Sequence, residues 1–330
     1  MRDDLTRARF PEVRERSGHY ESFYVKLADP QRPRGAWIRY TALKRPGQPA
    51  VGSVWCTSWA DDGAPPEARK VTLGPGELGA NQRGELIHVG GSQLREGRAT
   101  GSFDEAAWEL EYIPAAETFA YLPRAWMYRG PVPRTKAAAL SPHATFHGRV
   151  TVGSRTLSVD GWPGMIGHNW GAEHAERWIW VHATGFAEDS GAWLDAIFGR
   201  IRVAGLTLPW IANGGLWLGG RLRRLGGPGA VRATKVDERP TRCRFALPGQ
   251  DVTISGEVVA PERQVVAWRY SDPSGGGHVT CNCSVSALTL SVRGHDRSER
   301  VLELAAGAAY ELGARESPPP EIPVQPFPDP

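Results

Sequence analysis

Short intervals between glycines and prolines constrain this chain more than any other feature. Its 39 glycines and 27 prolines cluster so that an uninterrupted run rarely exceeds about ten residues, and the runs between are rich in β-branched and aromatic side chains. Segments of that length suit antiparallel strands, and a chain made of them closes into barrels or sandwiches. The first half offers strands over 20–27, 36–43, 51–59, 69–73, 85–89, 99–103 and 108–113. Period-two alternation is plain in Trp108-Glu109-Leu110-Glu111-Tyr112, which puts the glutamates on one face and the apolar residues on the other. The second half offers 145–152, 156–159, 178–186, 192–203, 216–223, 243–247, 252–258, 265–270 and 279–292. Only 135–140 and 301–312 carry a helical period, the latter broken by Gly307. Between the two sets, 129–136 contains Pro131 and Pro133, which cannot continue a ladder. The expected division is a polar segment 1–16, a β domain 17–130, a linker 131–136, a second β domain 137–316, and a proline-rich tail 317–330 that is disordered or extended.

Composition excludes several partners. Basic and acidic residues nearly balance, 39 against 36 for a net charge of +3, so the chain lacks the concentrated basic face that nucleic acid requires. Arg221, Arg223 and Arg224 read as a charged strand edge that discourages edge-to-edge pairing. Nothing approaches the roughly 18 apolar residues of a membrane-spanning helix, and residues 1–16 lack the apolar core of a signal peptide. The expected compartment is the cytoplasm. Cys56, Cys243, Cys281 and Cys283 are too sparse for a disulfide framework and read as reduced thiols. Oligomeric state cannot be read from these features.

The segment 161–182 concentrates the side chains that carry chemistry. Trp162, Trp170, Trp178, Trp180 and Trp193, five of the 13 tryptophans, fall in or next to it with His168, His174 and His182. Gly164, Gly167 and Gly171 frame a stretch read as a loop whose backbone turns sharply or approaches something closely. A strand follows in which Trp178, Trp180, His182, Thr184 and Phe186 share one face. Aromatic walls with a few polar groups suit a hydrophobic ligand, and indole faces stabilise a developing cation. The bland alternative is that the tryptophans fill cores and the histidines bond stray backbone groups. No metal site is expected: His168, Glu173 and His174 follow no ligand spacing. No nucleophile elbow, phosphate loop or dinucleotide fingerprint is present, so no cofactor is expected.

The run Gly167-His-Asn-Trp-Gly171, followed by Arg177-Trp-Ile-Trp180, resembles the mid-chain signature of the tocopherol-cyclase-like and hydroxyneurosporene-synthase (carotenoid hydratase, AttH-like) superfamily. Weaker echoes are Tyr20-Glu-Ser-Phe-Tyr24 and Trp268-Arg-Tyr-Ser-Asp-Pro273. The resemblance implies an all-β fold of two tandem lipocalin-like antiparallel β-barrel domains with little helix. It further implies cofactor-free chemistry on a hydrophobic polyene or prenyl chain, by protonation and then ring closure or water addition, or by templated cyclisation. The hydratase pattern has an acid before the corresponding tryptophan, where this chain has Gly167, His168 and Asn169.

The expectation is therefore a cofactor-independent cyclase, isomerase or hydratase acting on a hydrophobic polyene, prenyl or terpenoid-like molecule; the alternative is a non-catalytic lipid- or terpenoid-binding protein, and a third reading makes the motif a purely structural belt. The acid–base candidates are His168, His182, Glu173 and Asp195; Trp162, Asn169, Trp170, Arg177, Trp178, Trp180 and Trp193 are expected to contact ligand. Strands 178–186 and 192–203 should form a hairpin around Ala187-Glu-Asp-Ser-Gly191. A four-residue loop would set His182 opposite Asp195, a two-residue loop would keep them on one face but diagonally offset, and a three-residue loop would put them on opposite faces. The shared face is expected, because an unpartnered aspartate in so apolar a strand is costly to bury. Failing that pair, Asp195 would bond an arginine such as Arg177.

Overall fold

A computed structural model describes residues 2–203 and 206–327. Strands hold 61% and helices 6% of the chain, which makes it an all-β protein of lipocalin-like type. Its two main sheets share one strand order. In the first, His19–Ala28 runs beside Gly35–Lys44, Val51–Trp59 and Glu67–Leu73 on one side. On the other side it pairs with Arg155–Gly171, which is followed by Thr135–Val152, Ala106–Pro114 and the shorter strands before it. The second sheet repeats this plan. Its first strand, Arg177–Thr184, lies between Trp193–Arg200 and the final strand, Glu299–Ala314, which in turn pairs with Gly277–Gly294. Each sheet thus joins its first strand to its last and curls around a core, and the core of the second continues into Trp37, Trp55, Trp59 and Ala68 of the first. A bridge between Leu225 and Gly249 brings the second sheet close to closure.

The chain leaves the first sheet after Gly171 and enters the second at Arg177, so 172–176 is the crossing point and not 131–136. Lys136 pairs with Trp170 inside the first sheet. Pro131 and Pro133 lie between a short helix, Ala125–Arg129, and the strand Thr135–Val152 of the first sheet. The stretch read as a loop around Gly164 and Gly167 is the end of a continuous strand, Arg155–Gly171. Its glycines serve close approach instead of a turn. A Cβ on Gly167 would lie 2.1 Å from Tyr24 Cζ on the neighbouring strand, and one on Gly313 would lie 2.1 Å from Trp178 Cε2 at the matching place in the second sheet. In both sheets the ring of a first-strand aromatic therefore lies flat across a glycine of the last strand.

Both windows with helical period are strands. They lie within Thr135–Val152 and Glu299–Ala314; Ala137, Ala139 and Ala309 pack where the two sheets meet, whereas Ala138 and Ala308 face the cores. Gly307 (φ +105°) sits at the register shift of its strand. The polar N-terminal segment inserts Leu5, Ala8 and Phe10 into the first core. The tail is extended and docked: Val324 bridges Ala267 and Phe327 meets Trp268, while 328–330 lie outside the described residues.

Replacing Gly167 by Ala should destabilise the protein by about 1–3 kcal/mol, the usual cost of overpacking. Gly74→Ala, at a site with φ −68° and nothing within 4 Å of an added Cβ, should be neutral. Urea denaturation of both variants checks this.

Candidate functional site

Alternation along the strands divides the expected site residues among three environments. On Arg155–Gly171, Trp162, His168 and Trp170 face the interior of the first sheet, whereas Met165, Gly167 and Asn169 face the second sheet. His168 is fully buried between Phe23 and Trp170, with ring centroids at 3.9 and 4.4 Å. Its Nδ1 meets the Leu5 carbonyl at 2.7 Å and its Nε2 the Glu21 carboxylate at 2.7 Å. Glu21 also accepts hydrogen bonds from the backbone N–H groups of Arg9 and Phe10, at 2.8 and 2.7 Å. Burial opposes ionisation of Glu21, but hydrogen bonds from His168 and His19 win and lower it to about 2. This network ties the N-terminal segment into the first core. Trp162 lies beneath the guanidinium of Arg34 and Trp170 beneath that of Arg9, each about 5.3 Å away.

Glu173 and Arg177 sit at the surface. Glu173 pairs with Arg134 at 2.5 Å, and Arg177 with Glu238 and Glu316 at 3.0 and 2.9 Å. Arg177 is therefore committed elsewhere and is not the partner of Asp195.

The remaining residues meet in the seam between the two sheets. The first sheet contributes Tyr20, Ser22, Tyr24 and Lys26 from its first strand, with Arg39 beside them. Facing them are Trp178, Trp180, His182 and Thr184 on one strand, Trp193 and Asp195 on the next, and Glu311 on the last. Gly277–Gly294 adds His278, Thr280, Asn282 and Ser284, all at most 2% exposed. Tyr24 meets Trp180 edge-on at 5.3 Å, Trp193 packs on Phe119 at 5.8 Å, and Arg39 lies 3.9 Å over the Tyr270 ring.

The hairpin has the register that a four-residue loop dictates: His182 stands directly opposite Asp195. Their hydrogen bonds go elsewhere. His182 Nε2 donates to the Pro142 carbonyl at 2.8 Å, and Asp195 Oδ1 accepts from Trp180 Nε1 at 3.0 Å. His182 Nδ1 and Asp195 Oδ2 are left without partners, as are the neighbouring Tyr121 hydroxyl and Asn169 Oδ1, Asn282 Oδ1 and Ser284 Oγ. Each such atom costs about 1–3 kcal/mol when dry. Tyr121 lies beside Asp195, and its hydroxyl favours the Asp195 anion, although neither that hydroxyl nor Asp195 Oδ2 makes a hydrogen bond of full geometry.

Electrostatics follow from the burial. Desolvation raises Asp195 to about 7 against the hydrogen bonds and the Lys26 charge that favour its anion. Desolvation lowers Lys26 to about 7, and its ammonium is held by the Gly307 carbonyl. His182 is pushed well below its ordinary value, first by burial and then by Lys26. The centre thus holds an acid and a base that both titrate near neutrality. Two surface pockets, of about 470 and 640 Å³, are lined by residues such as Glu67, Arg69 and Ser154, and Arg95, Arg98 and Glu109; no residue of 161–195 borders either.

Sequence reasoning missed Lys26, Tyr24, Tyr121, Arg39 and Glu311. It also missed the polar row on Gly277–Gly294. The alternation His278-Val-Thr-Cys-Asn-Cys-Ser284 signals that row, but it looks like a strand with one face in water.

No family model matches the chain. It is 28% identical over 325 residues, 97% of its length and 94% of theirs, to MT0513 and Rv0493c, uncharacterised proteins of two Mycobacterium tuberculosis strains. Among solved structures it shares its fold with CghA, including the form bound to Sch210972 (TM-score 0.62, 13% identity, covering 94% of this chain and 96% of that one). It also shares its fold with the Nitrosomonas europaea protein described as AttH (TM-score 0.58, 11% identity, covering 94% and 97%).

A carboxyl raised from 3.8 to about 7 holds its proton more tightly in the folded chain than in the unfolded one. Its contribution is therefore complete below about pH 3.8 and is lost as pH rises through 7. Asp195→Asn should remove that loss and make the protein more stable than the wild type at pH 8, by roughly 1–3 kcal/mol. The gap should close toward pH 4. Denaturation midpoints across this range check the sign.

Proposed function

We propose that this protein is an acid–base enzyme of the isomerase, hydratase or cyclase type. In this reading it admits a hydrophobic polyene, prenyl or terpenoid-like molecule between its two sheets. The observation that carries the proposal is the carboxyl of Asp195, fully buried, raised to about 7 and with Oδ2 unpartnered beside Tyr121. A structural seam gains more from apolar packing than from buried charge, so acidic and basic groups tuned to one pH range favour a functional role. The CghA structure with Sch210972 supports the idea that this fold accommodates a small organic molecule.

Asp195 in its carboxylic acid form transfers a proton to a substrate double bond, and the resulting cation lies against the faces of Trp180, Trp193 and Tyr24. Loss of a proton from a neighbouring carbon, to the Asp195 carboxylate or to His182 Nδ1, completes an isomerisation or cyclisation. Attack by water, with its proton passing to Asp195, completes a hydration. Proton gain and loss balance in each case. Trp180 orients the acid through its indole N–H, and the apolar walls keep bulk water from the cation.

The test uses geranylgeraniol and all-trans-retinol as probes in deuterated water. Saturable quenching of tryptophan emission reports binding, and mass spectrometry reports deuterium in the recovered probe. Wild-type protein should do both. Asp195→Asn should keep the quenching and lose deuterium incorporation by roughly 10²–10⁴-fold. Binding with no deuterium transfer by the wild type would leave the protein a carrier and overturn the catalytic reading.

A further inference from the structure

His174, Asp272 and His278 form a cluster that the acid–base centre does not use. Each presents a ligand-type atom, and these atoms all lie within 4.8 Å of one another. The three come from separate places. His174 belongs to the 172–176 crossing between the sheets, while Asp272 and His278 flank the turn that joins Val266–Ser271 to Gly277–Gly294. Tyr20 of the first sheet stacks on His174 at 3.8 Å, and Trp178 closes the other side at 5.5 Å.

Hydrogen bonding leaves the cluster incomplete. Asp272 Oδ1 accepts from the backbone N–H of His174 at 3.0 Å and faces its Nδ1 at 2.8 Å. His278 is 2% exposed, yet neither of its ring nitrogens has a hydrogen-bond partner, although Nδ1 lies 3.4 Å from Asp272 Oδ2. His174 Nε2 is also buried and unpartnered. The His278 ring lies beside the Asp272 carboxylate and 5.8 Å from the His174 ring, so a cation placed among the three would meet a carboxylate oxygen and one lone pair from each neutral imidazole.

We infer that His174, Asp272 and His278 form a binding site for a first-row divalent cation, with Zn²⁺ as the expected occupant. Two imidazoles and a carboxylate are a donor set that suits zinc, with a fourth position left for water. Metal–ligand bonds of about 2.0–2.2 Å set tetrahedral ligand atoms about 3.4 Å apart, so the cluster closes onto the ion by side-chain rotation of about an ångström. The aromatic rings of Tyr20, Trp178 and Tyr270 supply a dry wall. Two cations oppose binding. Arg315 Nη1 lies 3.8 Å from Asp272 Oδ2, and Arg39 lies over Tyr270. Arg315 is shared with Glu176 at 3.0 Å and Glu173 at 3.9 Å, which disperses its charge. Bound metal would pin the crossing segment to the second sheet and to Tyr20 of the first, so its main effect is to lock the two sheets together.

The test begins with wild-type protein stripped by chelator and passed through a desalting column. Calorimetric titration with Zn²⁺ should give one equivalent, Co²⁺ should develop the visible bands of a tetrahedral complex, and saturating Zn²⁺ should raise Tm by about 5 °C. His278→Gln should lose stoichiometric binding and the Tm rise, and Glu176→Gln should retain both. X-ray absorption on the zinc-loaded wild type should report two imidazole ligands, which decides the matter even if His278→Gln does not fold. Absence of stoichiometric Zn²⁺ and Co²⁺ binding by the wild type, or undiminished binding by a folded His278→Gln variant, would overturn the inference.

Discussion

The structure depends on the burial of two polar sheet faces against each other. Each sheet folds around an apolar core, and the strands that join its two halves carry polar side chains on the outward face beside aromatic ones such as Trp55, which meets Trp268 and Tyr270. Lys26, Arg39, Asp195, Glu311 and His182 are all at most 8% exposed there. Removing charges from water costs several kcal/mol per ion unless each finds a partner. Glu311 finds three, accepting from Trp178, Tyr270 and Asn282 at 2.9–3.2 Å. Asp195 finds one. Satisfaction is therefore uneven, and the less satisfied of these two acids lies beside an aromatic cluster of the seam formed by Tyr24, Phe119, Tyr121, Trp180 and Trp193.

The same strands do two tasks on their two faces. His19–Ala28 is buried along its whole length. Its Phe23 and Val25 fill the first core and its Glu21 anchors the N-terminal segment, while Tyr24 and Lys26 meet the second sheet. Arg155–Gly171 behaves likewise, with His168 inside and Asn169 outside. Adjacent residues of one short motif thus belong to unrelated environments. His168 supports the fold, and Asn169 lines the seam.

Much of the fold was legible in the sequence because antiparallel strands with one wet face announce themselves by alternation, as Trp108, Leu110 and Tyr112 do against Glu109 and Glu111. The hairpin and the shared face of His182 and Asp195 were legible for the same reason, whereas their direct opposition depends on a register that alternation alone does not fix. The seam was not. A strand buried on both faces, with polar residues on one, has the sequence of a strand that faces water, so His278, Thr280, Asn282 and Ser284 carried no visible mark of burial. The glycines of Arg155–Gly171 looked like turn residues because close approach and a turn ask for the same side chain. The alanine-rich ends of Thr135–Val152 and Glu299–Ala314 looked helical because propensity is a weak prior against tertiary packing.

The central claim is that burial has tuned Asp195 into an acid that exchanges its proton near neutral pH. The most direct test is a titration of the Asp195 side-chain carboxyl carbon by NMR in aspartate-labelled protein, assigned by the loss of its signal in Asp195→Asn. The account predicts a midpoint near 7. A carboxyl that titrates near the ordinary aspartate value of about 3.9 would contradict it and leave the seam a hydrogen-bonded joint between the two sheets.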